Sequence, residues 1–313
     1  MLITGVTGFV GSHLADHLVD AQVPAIGTSY EGRWRFGVGQ STRDSVPVRR
    51  WDITQSANDE FVAWVNEFDP AIVFHLAGAS VPADCGGEEP NQHAVATNVR
   101  GTLNVLELVG RLQSKPHVVV ASSCHVYKTE PQHFHRVAES ETPAPGNGYG
   151  KTKWLAEQHC QQFAKDNEVP LTILRGFQHT GPRQAARMLL PEWSLQLVRG
   201  GKDLEVRCLD THLDLMDVRD TVRLYWELAQ KPKGRQVLNV GTGVATSGTS
   251  VADELGNSLC RDLDVTSQHA GPRFNPVADT TEIEAVLGPL KFRPLRETVD
   301  DTLEFWRSVQ DSE

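Results

Sequence analysis

The chain has 313 residues, and its formal net charge of −10 counts against a nucleic-acid binder or a protein held to an anionic membrane by charge, because both need a cationic face. Hydrophobic residues at 39% are enough for one cofactor-sized domain with a smaller one attached, and no apolar run reaches the ~20 residues that span a bilayer. The five cysteines (Cys85, Cys124, Cys160, Cys208, Cys260) are scattered without paired metal spacing, and His133 and His135 lack a third ligand. Reduced thiols in a cytoplasmic protein with no metal site are therefore expected. The first residues already read as a strand, so no signal peptide is expected.

That strand, Met1-Leu2-Ile3-Thr4, runs into Gly5-Val6-Thr7-Gly8-Phe9-Val10-Gly11 and then into a helical pattern at Phe9, Val10, Leu14 and Leu18. Gly5 permits a tight turn, Gly8 lets backbone approach a pyrophosphate, and Gly11 lets helix and strand pack closely. The helix would then turn its unpaired N–H groups and positive dipole end toward phosphates. The second strand, near Val23–Thr28, leads into Ser29 and Tyr30, where NAD enzymes usually place an acid for the ribose hydroxyls. Hydroxyls with Arg33 and Arg35 close behind suit a 2′-phosphate instead, so NADP is expected. Glu31 keeps NAD open, since it can turn inward to a ribose.

Further strands are expected near Ala71–His75, Val118–Ala121 and Leu171–Leu174, separated by helices near Ser12–Ala21, Ala57–Glu67, Asn91–Arg111 and Tyr149–Lys165. The alternation predicts an α/β fold, a Rossmann-type doubly wound parallel sheet. Val118-Val119-Val120-Ala121 reads as a buried parallel strand, and Ser122 and Ser123 follow at its C-terminal end, where such sheets place their chemistry. Downstream, Tyr149 and Lys153 stand four residues apart on one helix face. An ammonium so placed can stabilise a phenolate and lower a pKa that is otherwise about 10. A phenol tuned in that way exchanges a proton near neutral pH while a nicotinamide moves a hydride.

With these residues the chain resembles the extended short-chain dehydrogenase/reductase family, which includes nucleotide-sugar epimerases, dehydratases and reductases. The resemblance runs from Met1 to about Arg307. It implies a catalytic trio of Ser123 (four residues before Tyr127), Tyr149 and Lys153. It implies cofactor contacts from Gly5, Gly8, Phe9, Val10 and Gly11, from Ser29, Tyr30 and Arg33, and from Tyr149 and Lys153. Trp51-Asp52-Ile53 matches the acid that contacts adenine, so Asp52 and Ile53 join this set. So do Leu76, Ala77 and Gly78 in the turn after the fourth strand, and Asn98 of an N-x-x-G-T motif. Arg175, Gly181-Pro182 and Asp217-Val218-Arg219-Asp220 match further landmarks. The resemblance divides the chain into an NAD(P)-binding Rossmann domain (1–174 and 206–240) and a discontinuous substrate lobe (175–205 and 241–313). It also implies a homodimer through the helices near Asn91–Arg111 and Tyr149–Lys165.

Among subgroups the chain is most similar to the GDP-6-deoxy-4-keto-D-mannose reductases, through Gly27-Thr28-Ser29, His179-Thr180-Gly181-Pro182, Gln184 and Leu224-Tyr225-Trp226-Glu227-Leu228. Cys124 and His125 stand where sugar 4,6-dehydratases usually carry an acid. Gln178 replaces the family's substrate-loop Asn. Leu213, and the stretch Thr246-Ser247-Gly248, stand where arginines commonly grip a nucleotide diphosphate. Arg273 remains a candidate for that task; Arg183, Arg187 and Arg207 are cations without an assigned place. His125, Gln178 and His179 are candidate substrate contacts. His125 either lines a sugar pocket or serves as an acid or base, since the GDP-fucose synthases place a proton-transferring Cys there. The resemblance implies an NAD(P)-dependent reduction of the 4-keto group of a nucleotide-linked deoxysugar. A nucleotide-sugar 4-epimerase is the alternative, and a non-catalytic NADP-binding sensor the third reading.

Overall fold

The computed structural model describes residues 1–231 and 234–311. Seven strands form the main sheet: β1 Leu2–Thr4, β2 Ile26–Ser29, β3 Val48–Arg50, β4 Ile72–His75, β5 His117–Ser123, β6 Leu171–Gly176 and β7 Arg235–Val240. Their order is β7-β6-β5-β4-β1-β2-β3, and every adjacent pair is parallel. The chain thus winds outward in both directions from the boundary between β1 and β4, and a crevice opens at the C-terminal strand ends there.

Helices cover both faces, which is why the strands read as continuous apolar runs rather than alternating ones. Five of them flank the sheet: α1 Phe9–Asp20, α2 Asp59–Phe68, α3 Gly101–Gly110, α4 Gly148–Asn167 and α5 Val218–Ala229. On one face Val65 of α2, Leu108 of α3 and Cys160 of α4 pack with Leu2, Val118 and Val120. On the other, Leu14 and Leu18 of α1 and Leu228 of α5 pack with Ile3, Phe74 and Val119. Successive residues of one strand feed opposite cores, as the two-residue period of a strand requires.

The smaller lobe is built on the strand Thr211–Asp217, which pairs with Ala245–Ser247, Arg273–Phe274 and Gln178–Thr180. By pairing, Thr211–Asp217 therefore belongs with the lobe strands. The helix Thr281–Leu287 places Ile283 in the core between α1, α5 and the main sheet. Among the described residues no helix is long and apolar enough to cross a membrane.

One buried polar network fixes α4 against the sheet. Glu157 of α4 accepts hydrogen bonds from Ser122 and Arg175: Ser122 Oγ donates to Oε1 at 2.5 Å and Arg175 Nη2 donates to Oε2 at 2.8 Å. Arg175 Nε adds a bond to Oε1 at 3.1 Å. Its Nη1 donates to the Tyr127 hydroxyl at 3.0 Å, which in turn donates to Asn239 Oδ1 at 2.7 Å. The side chains of Arg175 and Glu157 are only 4% and 1% exposed. Burial pulls the Arg175 pKa down, but the Glu157 carboxylate more than compensates, and the guanidinium stays charged.

Removing one partner strands the other charge in a dry interior. Glu157→Ala is expected to cost about 3–5 kcal/mol in chemical denaturation. Glu31→Ala, which breaks the exposed pair with Arg33, is expected to cost less than about 1 kcal/mol. Equal costs for the two variants would refute the clamp.

Candidate active site

The crevice is shaped first by glycines. Gly5 sits at φ +70°, and a Cβ there would lie 2.8 Å from the Ala77 backbone. A Cβ on Gly11 would lie 2.2 Å from the Gly5 carbonyl oxygen, so β1 and α1 meet at a distance only glycine allows. No side chain caps α1, and its first residues Phe9, Val10 and Gly11 line a cleft of about 830 Å³. That cleft also takes in Ser29, Tyr30, Asp52, Ile53, Leu76, Ala77 and Gly78, then ends at Tyr149 and Lys153. Of the expected cofactor residues, Arg33 and Asn98 lie outside the lining.

Arg33 is 79% exposed and pairs with Glu31 at 3.1 Å, which turns Glu31 away from the cleft. Arg35 lines the cleft instead. Asn98 works from behind. Its side chain accepts from Ala79 N at 2.8 Å and donates to Ala79 O at 3.0 Å and Thr152 Oγ1 at 3.0 Å. It thereby pins the β4 turn to α4. It does so from a π-helical segment, Val95–Arg100, in the middle of what the sequence presents as one continuous helix. A dinucleotide fits this cradle on three counts. Uncapped N–H groups face the glycine turn, Thr28 Oγ1 is buried without a hydrogen-bond partner at the far wall, and Arg35, which pairs with no acid among the described residues, offers a cation beside Ser29 and Tyr30.

At the inner end Ser123 closes β5, and Tyr149 sits in the first turn of α4. Asn147 caps that helix by accepting from Gly150 N at 2.9 Å. A Cβ on Gly150 would stand 2.1 Å from the His125 carbonyl oxygen, so this glycine is what brings Tyr149 against the Ser123–His125 turn. Burial pushes the Tyr149 phenol well above its ordinary pKa, and the nearby Ser123 hydroxyl offsets only part of that rise. Burial also lowers Lys153 to about 8. Lys153 Nζ donates to Ala121 O at 2.9 Å and lies 5.9 Å from the Tyr149 ring centre. The expected lowering of the phenol by the ammonium is thus not found: burial decides the direction, and Tyr149 is neutral here.

Beyond Tyr149 a second cavity of about 340 Å³ continues the cleft, sharing Phe9, Ser122, Tyr149 and His179 with it. Ser123, His125, Gln178 and His179 line it, as does Leu213; Arg273 does not and stands exposed on its strand. Asn147 Nδ2 donates to His125 Nδ1 at 3.1 Å, because the Asn147 oxygen is already used at the helix cap. The proton of a neutral His125 is therefore on Nε2, and burial keeps the ring neutral by lowering its pKa. His179 donates from Nδ1 to Phe177 O at 3.0 Å and stacks on Phe9 at 5.8 Å. Gln178 donates to Cys124 Sγ at 3.6 Å and leaves its Oε1 unpartnered.

Sequence reasoning passed over Asn147, Gly150 and Glu157. Asn147 carried a readable signal, an Asn directly before a helical pattern. Glu157 carried a fainter one, continuing the four-residue spacing of Tyr149 and Lys153.

Known proteins resemble this chain in sequence and in fold. A GDP-6-deoxy-D-mannose reductase of Pseudomonas aeruginosa is 27% identical over 251 residues, which cover 78% of this chain and 74% of that protein. A UDP-glucose 4-epimerase of Mycolicibacterium smegmatis is 24% identical and matches 98% of both chains. The solved structure of MoeE5 in complex with UDP-glucose and NAD superposes with a TM-score of 0.81 at 28% identity, covering 99% of each chain. The profile of one family matches residues 1–241, and the chain belongs to that NAD dependent epimerase/dehydratase family.

Proposed function

We propose that this chain is an NAD(P)-dependent oxidoreductase that reduces the 4-keto group of a nucleotide-linked deoxysugar. The observation that carries the reading is a neutral, buried Tyr149 with Ser123 beside it, at the junction of the dinucleotide cleft and the second cavity. A bound nicotinamide supplies the hydride. Tyr149 donates the proton to the oxygen of the developing alkoxide, and Ser123 orients the carbonyl by hydrogen bonding. Lys153 holds positive charge behind them. The Pseudomonas reductase favours reduction, whereas the full-length match to a 4-epimerase favours transient oxidation at the same carbon by the same trio. Nucleotide analysis of the purified protein separates the two: tightly retained NAD favours the epimerase, an empty, exchanging site the reductase. The chain's cysteines, all free, suit a cytoplasmic enzyme.

Tyr149→Phe is expected to lower kcat about 10²–10⁴-fold, the usual weight of general acid catalysis, with little change in cofactor binding. In the parent enzyme kcat/KM is expected to fall as pH rises through about 8, where Lys153 loses its proton. A flat profile to pH 10, or an active Tyr149→Phe variant, would remove the trio from the mechanism.

Arg35 makes NADP the proposed cofactor, because a guanidinium grips a 2′-phosphate and gains nothing from a bare ribose. Arg35→Ala is expected to weaken NADPH binding about tenfold while leaving NADH unchanged, which calorimetry reads directly. Equal losses for both dinucleotides would point to NAD.

A homodimer is proposed through the surface that exposes Val95, Leu103 and Leu155, on the π-helical segment, α3 and α4; each is 40–42% exposed. Leu103→Asp together with Leu155→Asp is expected to give a monomer in sedimentation equilibrium. A dimer that survives both changes must use another face.

A further inference from the structure

The second cavity has no Lys or Arg among its described lining residues. Leu213 lies in its wall, so a diphosphate-bearing substrate must find its cation at the rim. Two segments form facing parts of that rim. Val81 and Pro82 line the cavity from one, Ala185 and Met188 from the other. Just beyond them Asp84 and Arg187, 103 residues apart in the chain, join the segments. Arg187 Nη1 donates to Asp84 Oδ1 at 2.9 Å, and Nη2 donates to Oδ2. The guanidinium thus holds the carboxylate by two parallel bonds, the geometry with which it also holds a phosphate. The neighbouring Arg183 is not available, because Asp16 and His13 bind it in a buried site. Directly after Arg187 the helix Leu189–Val198 begins without a side-chain cap, and Leu189 and Leu190 line the cavity. Its positive end adds to the arginine charge.

We propose that Arg187 is the diphosphate grip of this cavity and that Asp84 is its resident stand-in, displaced when a nucleoside diphosphate group arrives. The inference rests on the nucleotide-linked substrate proposed above. The pair is 57% and 44% exposed, and exposed ion pairs contribute little net stability in water, so the exchange costs little. A diphosphate offers more charge and more acceptor oxygens than one carboxylate, so it wins the guanidinium. A neutral carbonyl compound cannot make that exchange and gains nothing from Arg187.

The test is calorimetric binding of UDP and of GDP to the full chain with NADPH present, at one fixed ionic strength. Arg187→Ala is expected to weaken the better-bound nucleotide about tenfold or more. Asp84→Asn is expected to tighten it several-fold, because the competing carboxylate is gone. NADPH affinity and thermal melting of both variants should match the parent, since both side chains are half exposed. If the parent binds a nucleotide and neither variant changes the affinity, the grip is refuted while the proposed function stands. If Asp84→Asn weakens binding as Arg187→Ala does, Asp84 orients the arginine and the exchange is refuted. If the parent binds neither nucleotide, the nucleotide-linked substrate falls and the grip falls with it.

Discussion

The buried ion pair between Glu157 and Arg175 is the constraint on which the site depends. Tyr149, Lys153 and Glu157 follow one another at four-residue intervals, so they share a face of α4. That face lies against the C-terminal ends of β5 and β6. Glu157 is tied there to Ser122, the neighbour of Ser123, and to Arg175. A buried pair is weak evidence for net stability, because desolvation offsets most of its attraction. What it supplies is register. A helix displaced by one residue would turn Glu157 away from Arg175, leave two buried charges unpaired, and move Tyr149 off Ser123 at the same time. The penalty for misplacing the phenol is thus set by charges two turns away, which line neither the cleft nor the second cavity.

Close approach of backbone supplies the other half of the geometry. Gly5 and Gly11 bring the β4 turn, β1 and α1 together, and Gly150 does the same for α4 and the turn at His125. The lobe is held to this frame at Asp217. It caps α5 by accepting from Arg219 N at 2.7 Å and also accepts from Thr298 Oγ1 at 2.8 Å, on the helix Leu295–Gln310. Arg219 reaches the same helix at Asp301. The second cavity is lined by Ser123 of β5 and Tyr149 of α4 and also by Leu213 and Leu215 of the strand that Asp217 ends. The exposed rim, where Asp84 and Arg187 meet, has no such buried support.

Much of this was legible in the amino-acid order because local geometry leaves local marks. A glycine turn between a strand and a helix, an apolar strand ending in serines, and Tyr149 four residues before Lys153 each need only a few neighbours to be recognised. Glu157 was only faintly legible, through its four-residue spacing from Lys153. On a helix with many polar residues it reads as one more solvated acid, and its buried partner arrives eighteen positions later on a different element. The π-helical segment at Val95–Arg100 was hidden for a similar reason, since the bonds of Asn98 to Ala79 and Thr152 are tertiary. Arg33 and Arg35 look alike in the sequence, yet the first pairs with Glu31 and the second lines the cleft. The placement of Thr211–Asp217 in the lobe sheet depends on strands from three distant segments.

Charge distribution connects these details to turnover. A protein with a net charge of −10 repels an anionic dinucleotide and an anionic substrate alike, so isolated local cations must decide both encounters. Arg35 stands at one end of the continuous cleft and Arg187 at the rim of the other, both exposed. Between them the groups around the reacting carbon are pushed by burial toward neutrality: Tyr149 upward, Lys153 and His125 downward. On the proposed reading, the chemistry runs in a buried pocket beside the Lys153 ammonium, while Arg35 and Arg187 meet the anionic parts of the two ligands at its exposed ends. Loose, exchangeable grips suit an enzyme that must release its oxidised cofactor after each reduction. An epimerase recovers its hydride on the same nicotinamide and has no such need.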